Sequence, residues 1–340
     1  MISIDGSLGE GGGQIIRTSL ALSLVTGKPF RIEHVRARRE KPGLQRQHLT
    51  AVTSAAEIGR AETSGAHLGS EQFTFTPREV MPGDYTFSVG TAGSATLVLQ
   101  TVLPPLMIAS APSRLVLEGG THNVHAPPFE FLAETFLPLI GRIGPQIEIS
   151  LQRYGFYPPG GGRFEVSIEP AAELKRLDIP ARGLIHGKRA RALVVNLPAS
   201  ISYRELGVIQ QKLGWSDEQL EVVTSTNALS PGNVLTIRLE SEHVTEIITG
   251  MGERGVRAET VAERAVAEAK EYLETDAPVG QHLADQLLIP LALAGGGSFL
   301  TGPLSLHTTT NIKIIRKFLD VDIVAGQVSA RVWKVEVEKS

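Results

Sequence analysis

Four stretches of this 340-residue chain share one plan, and that repetition limits the possible folds more than any single motif does. They are "RTSLALSLVTGKPFRIEHV", "SATLVLQTVLPPLMIASAPSRLVLEGG", "FEFLAETFLPLIGRIGPQIEISL" and "LADQLLIPLALAGGGSFLTGP". Each is an apolar run with helical spacing of Leu, Ala and Val, then small residues with Gly or Pro, then a short β-rich stretch such as "FRIEHV", "RLVLEG" or "QIEISL". Further helices are expected at "KPGLQRQHLTAVTSAAEIG", with Pro42 near the first helical position, and at "HTTTNIKIIRKFL", opened by hydroxyl residues able to cap.

With two helices and about four strands per repeat, the first repeat is expected from Met1 to about Glu79 and the second from Val80 to about Glu148. The third is split. It is expected to begin with the hairpin around "GFYPPGGGRFEVSIEP" and to resume at "VGQHLADQ". Between them the character changes: "VVTSTNALSPGNVLTIRLESEHVTEII" is followed by a charged helix, "AETVAERAVAEAKEYLET". The expected organisation is an α+β chain of α/β repeats. Residues 1–181 and 277–340 form a large domain, and residues 182–276 form a small inserted α+β domain.

Composition removes several function classes. Hydrophobic residues make up 42% and charged residues 20%, and no apolar run free of Gly and charge reaches the ~20 residues of a membrane helix. The first residues, "MISIDGSLGEGGG", have neither a basic n-region nor an apolar h-region, so a cytoplasmic protein is expected. With no Cys, disulfides, thiolate metal sites and cysteine nucleophiles are excluded. A net charge of −3 and a pI near 6.3 argue against coating long nucleic acid, which needs many Lys/Arg to phosphate contacts. A local basic pocket remains possible: Arg31 to Gln47 holds six Lys/Arg against two Glu. Charge runs of this kind are often only solvated faces.

Three groups of residues carry candidate chemistry. In "GEGGGQIIRTSLALSL" a glycine-rich loop leads into a helix, where backbone N–H groups and the helix dipole favour an anion. A tight strand-to-helix turn explains the glycines equally well, because no "GK[ST]" follows and Gln14 stands where a dinucleotide fingerprint has its third Gly. Glu10 and Arg17 flank the loop and suit a divalent metal and an oxyanion respectively. Arg36, Arg39 and Gln47 form a second polar group at a helix start, suited to phosphate oxygens. Gln100, inside an otherwise apolar helix, must find a partner for its amide. His307 in "GPLSLHTTTN" opens a helix; a neutral imidazole is a competent nucleophile near neutral pH, although an isolated His is more often a capping or surface residue. The other histidines form no metal-binding pattern.

In combination and in order, "EGGGQIIRTSLALS", "REKPGLQRQHLTAV", "VGTAGSATLVLQTVLP", "GFYPPGGG", "HLADQLLIPLALAGGG" and "LHTTTNI" resemble the RNA 3'-terminal phosphate cyclase family, from the first residues to the last helix. The resemblance implies three βαβαββ repeats, each with two helices and a four-stranded sheet, and a small α+β domain inserted in the third. It implies an ATP-dependent enzyme whose histidine, here His307, becomes covalently attached to AMP. The AMP passes to an RNA 3'-phosphate to give RNA(3')pp(5')A, and attack by the 2'-OH leaves a 2',3'-cyclic phosphate. Glu10 would organise a metal (Mg²⁺ or Mn²⁺) or phosphate, and Arg17, Arg36, Arg39 and Gln47 would bind and activate the phosphates and the RNA end. Gln100, His282, Leu283, Ala284, Asp285 and Gln286 fall where the family contacts ATP, and Pro128 would line the adenine site. The implied partner is the end of a single-stranded RNA bearing a 3'-phosphate, gripped locally, which suits an acidic chain. Two departures concern the adenine pocket: His282 replaces the Tyr of "EYLADQ", and "HNVHAPP" replaces "DNPSAPP". Against a non-catalytic relative stands the presence of His307, Arg17, Arg39 and Gln47; an enolpyruvyl transferase would leave His307 and "HLADQ" unexplained.

Overall fold

The computed structural model describes residues 1–339. The first repeat is β1 (Ile2–Asp5), α1 (Gly13–Thr26), β2 (Phe30–Glu33), α2 (Arg46–Ile58), β3 (Glu62–Ser64) and β4 (Phe73–Thr76). Its sheet runs β1-β2-β4-β3, with β1 and β2 parallel and the other pairs antiparallel. The second is β5 (Asp84–Ser88), α3 (Ala95–Leu106), β6 (Ser113–Gly119), α4 (Phe129–Phe131) running through a π-turn (Leu132–Phe136) into α5 (Leu137–Ile143), then β7 (Gln146–Arg153) and β8 (Gly162–Glu169). Its order, β5-β6-β8-β7, repeats the first.

The third opens with β9 (Leu177–Ile179) and is then interrupted. β10 (Ile185–Val195), α6 (Ser200–Leu213), β11 (Leu220–Ser225), β12 (Gly232–Ser241), β13 (Thr245–Met251) and α7 (Ala258–Leu273) make a separate sheet ordered β11-β10-β12-β13. The third repeat resumes with α8 (Gln281–Leu293), β14 (Gly296–Thr301), α9 (Leu306–Phe318), β15 (Val321–Ser329) and β16 (Val332–Lys339), ordered β9-β14-β16-β15. The mixed α+β class and the repeated βαβ unit are as the sequence leads one to expect.

Two expectations need correction. The hairpin around "GFYPPGGG" does not open the third repeat: β8 pairs with β6 along Ser113–Gly119 and with β7, closing the second sheet. Alternation buries Phe164, Val166 and Ile168, a pattern that suits either sheet, so the choice of partner is a long-range matter. Pro42 does not begin a helix either. α2 starts four residues later, with Gln45 as N-cap, because Gly43 sits at φ +73° against the Gly69 carbonyl, a left-handed conformation that a right-handed helix cannot include.

One core cluster spans all three repeats, including Phe30, Phe75, Phe164, Phe299 and Phe318. Phe30 meets Phe318 edge-to-face at 6.1 Å, joining the first repeat to the third. α1, buried along most of its length, packs against both α3 and α9, and α8 packs against α9. The fourth sheet has its own core, with Trp215, Leu235, Ile237, Ala262 and Ala265. No helix among the described residues is long and apolar enough to cross a membrane.

The fourth sheet reaches the start of α8 through Glu246 on β13, whose Oε2 accepts the Gly280 N–H at 3.1 Å. Burial pushes this carboxyl up to about 8, against the lowering effect of that hydrogen bond and with help from Glu268. A carboxyl raised in the folded state contributes stability that is full below its unfolded value of 4.5 and is lost as pH rises toward 8. Glu246→Gln keeps an acceptor for Gly280 without the charge. It is expected to remove most of this decline and to raise stability at pH 8.5 by roughly 1–3 kcal/mol. Urea-unfolding midpoints of both proteins at pH 5.5 and 8.5 check this; an equal slope with pH would contradict it.

Candidate active site

The site forms where the N-termini of α1 and α9 meet and α8 lies alongside. The loop before α1 is held to α9 by the Glu10 N–H, which donates to Thr310 Oγ1 at 3.0 Å. Gly9 is required here: at φ +56° a Cβ would lie 2.1 Å from that same hydroxyl oxygen. Thr18 Oγ1 donates to Asn311 Oδ1 at 2.7 Å, and Asn311 Nδ2 donates to the Asp285 carbonyl at 2.8 Å, so α1, α9 and α8 are joined by hydrogen bonds between residues far apart in sequence.

His307 is the second residue of α9, after the N-cap Ser305, whose Oγ accepts the Thr308 N–H at 3.1 Å. Its ring is exposed, and its Nδ1 lies 3.2 Å from Gln14 Oε1. Desolvation, then Arg17, Arg39 and His282, hold the imidazole below its ordinary pKa and so favour the neutral form. Arg17, half-buried, is lowered to about 10 by desolvation, with Asp285 acting the other way. Asp285 is raised to about 7 by burial, opposed by Arg17, its own backbone N–H and Gln14.

Glu10 ion-pairs with Arg39, whose guanidinium also lies 3.4 Å from the Glu10 carbonyl oxygen. The second carboxylate oxygen, Oε2, is buried and has no hydrogen-bond partner among the described residues. An orphaned carboxylate oxygen fits one protein ligand to a hard divalent cation that brings its remaining ligands as phosphate oxygens and water. No group of three His, Asp or Glu able to hold a metal occurs among the described residues, so an all-protein cage does not fit.

A cleft of about 410 Å³ opens beside His307, lined by Arg17, Gln100, Pro128, His282, Asp285 and Gln286 among others, with the fourth sheet and α7 forming part of its wall. Gln100 finds its partner in the Gln286 side chain rather than in backbone. His282 faces Glu268 of α7 at 3.5 Å. Leu283 and Ala284 point into the core, so they can meet a ligand only through their backbone. Two of the sequence candidates are not among the residues that line this cleft. Arg36 braces its own loop, donating to the carbonyls of Lys41 (2.6 Å) and Gly43 (2.9 Å). Gln47 Oε1 accepts the Ser94 N–H at 3.1 Å.

Three residues in this assembly were given no role by the sequence. Gln14 bridges His307 and Asp285. Asn311 links α9 to α1 and α8. His48 lies against Gly13, where a Cβ would sit 2.4 Å from its Nε2, and is lowered to about 3 by burial, Arg36 and Arg17, so it is uncharged. A polar residue on the buried face of a helix is the one sequence sign they share. Chemically, the arrangement sets an exposed, uncharged nitrogen nucleophile beside two guanidinium groups, suited to an anionic electrophile.

A family-wide profile described as RNA 3'-terminal phosphate cyclase matches residues 8–325. The chain is 54% identical over 321 residues to the RNA 3'-terminal phosphate cyclase of Koribacter versatilis strain Ellin345, covering 94% of this chain and 90% of that protein. It is 48% identical over 338 residues to the protein of the same name from Ectopseudomonas mendocina strain ymp (99% and 98% covered). The corresponding Pseudomonas fluorescens protein is 47% identical over 336 residues (99% and 97% covered).

Proposed function

The chain belongs to the RNA 3'-terminal phosphate cyclase family, and on that premise we propose that it converts an RNA 3'-phosphate to a 2',3'-cyclic phosphate with ATP as co-substrate. The observation that carries this reading is the exposed His307 imidazole, held neutral, at the mouth of the cleft beside Arg17 and Arg39. His307 Nε2 attacks the α-phosphorus of ATP; the N–P bond forms as the bond to the β-phosphate oxygen breaks, and pyrophosphate leaves with the electron pair. Arg17 and Arg39 offset the negative charge that accumulates on the phosphoryl oxygens. An oxygen of the RNA 3'-phosphate then attacks the same phosphorus, and His307 leaves as a neutral imidazole, giving RNA(3')pp(5')A. The adjacent 2'-OH attacks the 3'-phosphorus, its proton passes to water, and the bond from that phosphorus to the bridging oxygen breaks as AMP departs with the electron pair. Glu10 Oε2 would hold Mg²⁺ or Mn²⁺, which supplies Lewis-acid charge for the polyphosphate.

The test is incubation with ATP labelled at the α-phosphate, without RNA. Label on the protein that is released by acid and kept in alkali, as a phosphoramidate behaves, is the expected result; an unlabelled protein would overturn the reading. RNA binding should weaken only gently with salt. A local grip on two or three phosphates of a single strand predicts a log–log slope of about −2, and a slope steeper than about −5 in a filter-binding titration would argue against it.

A further inference from the structure

The unassigned Gln14 stands between the nucleophile and the half-buried Asp285 carboxyl. Its Nε2 is 2.6 Å from Asp285 Oδ2, and its Oε1 is 3.2 Å from His307 Nδ1. Gln14 is itself buried, in the first turn of α1, and the two contacts use opposite ends of its amide. Above its pKa of about 7 the Asp285 carboxylate has only acceptors, so there the Gln14 NH₂ must face Asp285 and the carbonyl oxygen must face the ring. A carbonyl oxygen accepts only, so His307 Nδ1 must carry the proton. We propose that Gln14, oriented by Asp285, is a positioning residue that holds His307 as the Nδ1–H tautomer, leaving the lone pair on Nε2, the ring nitrogen that Gln14 does not bond. This rests on the reading of His307 as the AMP acceptor.

The arrangement follows the logic of a nucleophile–base–orienter set, here with an amide between the acid and the imidazole. Imidazole in water prefers the other tautomer, in which Nε2 is protonated and cannot attack. Gln14 also acts during the step: as the Nε2–P bond forms, positive charge spreads to Nδ1–H, where Gln14 Oε1 accepts the hydrogen bond and the Asp285 carboxylate lies behind it. Arg17 on α1 is the counter-charge of Asp285, and Arg39 and His282 are the other charged or titratable groups acting on His307. The hydrogen bond that sets the tautomer is the one to Gln14, whereas Arg39 and His282 act on the ring through charge alone.

The experiment is an imidazole-¹⁵N correlation spectrum of the whole protein at pH 8.5, where Asp285 is largely ionised, with His307 identified by the signal missing from His307→Gln. The expected wild-type state is Nδ1–H. In Asp285→Asn, the side chain can offer Gln14 either its carbonyl oxygen or its NH₂, so the Gln14 amide is no longer held one way and a mixture of tautomers is expected; single-turnover protein labelling should fall by about 10-fold or more. Gln14→Met should give a mixture of tautomers and about 10- to 100-fold slower labelling, with half-saturation by ATP changed by less than about threefold. A structural role alone would leave the tautomer unchanged.

A wild-type His307 found as Nε2–H overturns the inference, and so do both variants retaining Nδ1–H. Should a variant fail to fold, the wild-type spectrum still decides. Labelled wild-type protein with Nε2–H would sink the tautomer assignment alone, whereas an Nδ1–H ring that takes up no label would sink the function and leave the assignment standing.

Discussion

His307→Ala is expected to take up no AMP: single-turnover labelling from α-labelled ATP should fall at least about 10³-fold, because removing a covalent nucleophile leaves only the binding and charge-stabilising parts of the site. The fold should survive. The ring is exposed on the second residue of α9, the cap is supplied by Ser305, and the side-chain hydrogen bond that the substitution removes is the one to Gln14. Stability should therefore fall by about 1 kcal/mol or less. Substitution of a histidine away from the cleft, such as His186, should leave the label in place. A His307→Ala protein that still labels at the wild-type rate would show that the nucleophile lies elsewhere.

Arg17→Ala should slow the same step by about 10²–10³-fold, the range seen when one preorganised donor to a developing oxyanion is removed. Two effects combine. The guanidinium beside His307 no longer offsets charge on the phosphoryl group, and Asp285 loses the principal group that opposes its upward shift. Asp285 would then be more fully protonated near pH 7, so the amide of Gln14 would no longer have a reason to face one way. Arg17→Lys should recover the activity only in part, since an ammonium lacks the planar fork that matches a phosphoryl group. The measurement is the labelling rate at saturating ATP and pH 8; a rate within about threefold of wild type in Arg17→Ala would contradict the role given to the guanidinium.

Arg36 and Gln47 make contacts that their residue types alone do not specify. Both are residue types suited to phosphate, and both lie near a helix start, yet Arg36 donates to two carbonyls of its own loop and Gln47 Oε1 is taken by Ser94. The type of side chain was legible; its direction was not, because direction depends on which backbone groups of the fold are left needing a partner. Arg39 took the other course and meets Glu10, a residue of the neighbouring loop. Leu283 and Ala284 belong to the same lesson, since their place in "HLADQ" says nothing of which side of α8 faces the core.

The repeat plan, the helices carrying Arg17, Gln100 and His307, and the α+β class were all readable from local periodicity, since hydrophobic spacing is a property of neighbouring residues. The tertiary structure alone decided that the β7–β8 hairpin closes the second sheet, because strand pairing with β6 satisfies a ladder of backbone groups that either sheet could have offered. It alone decided that Gln14 stands between Asp285 and His307, with 271 and 293 residues of chain separating the paired groups. The sequence by itself determined which chemical groups this protein possesses and which elements carry them. Which of them touch was decided by packing α1 against α9 with α8 beside them, since hydrogen bonds act over about 3 Å and chain order does not specify distance in space.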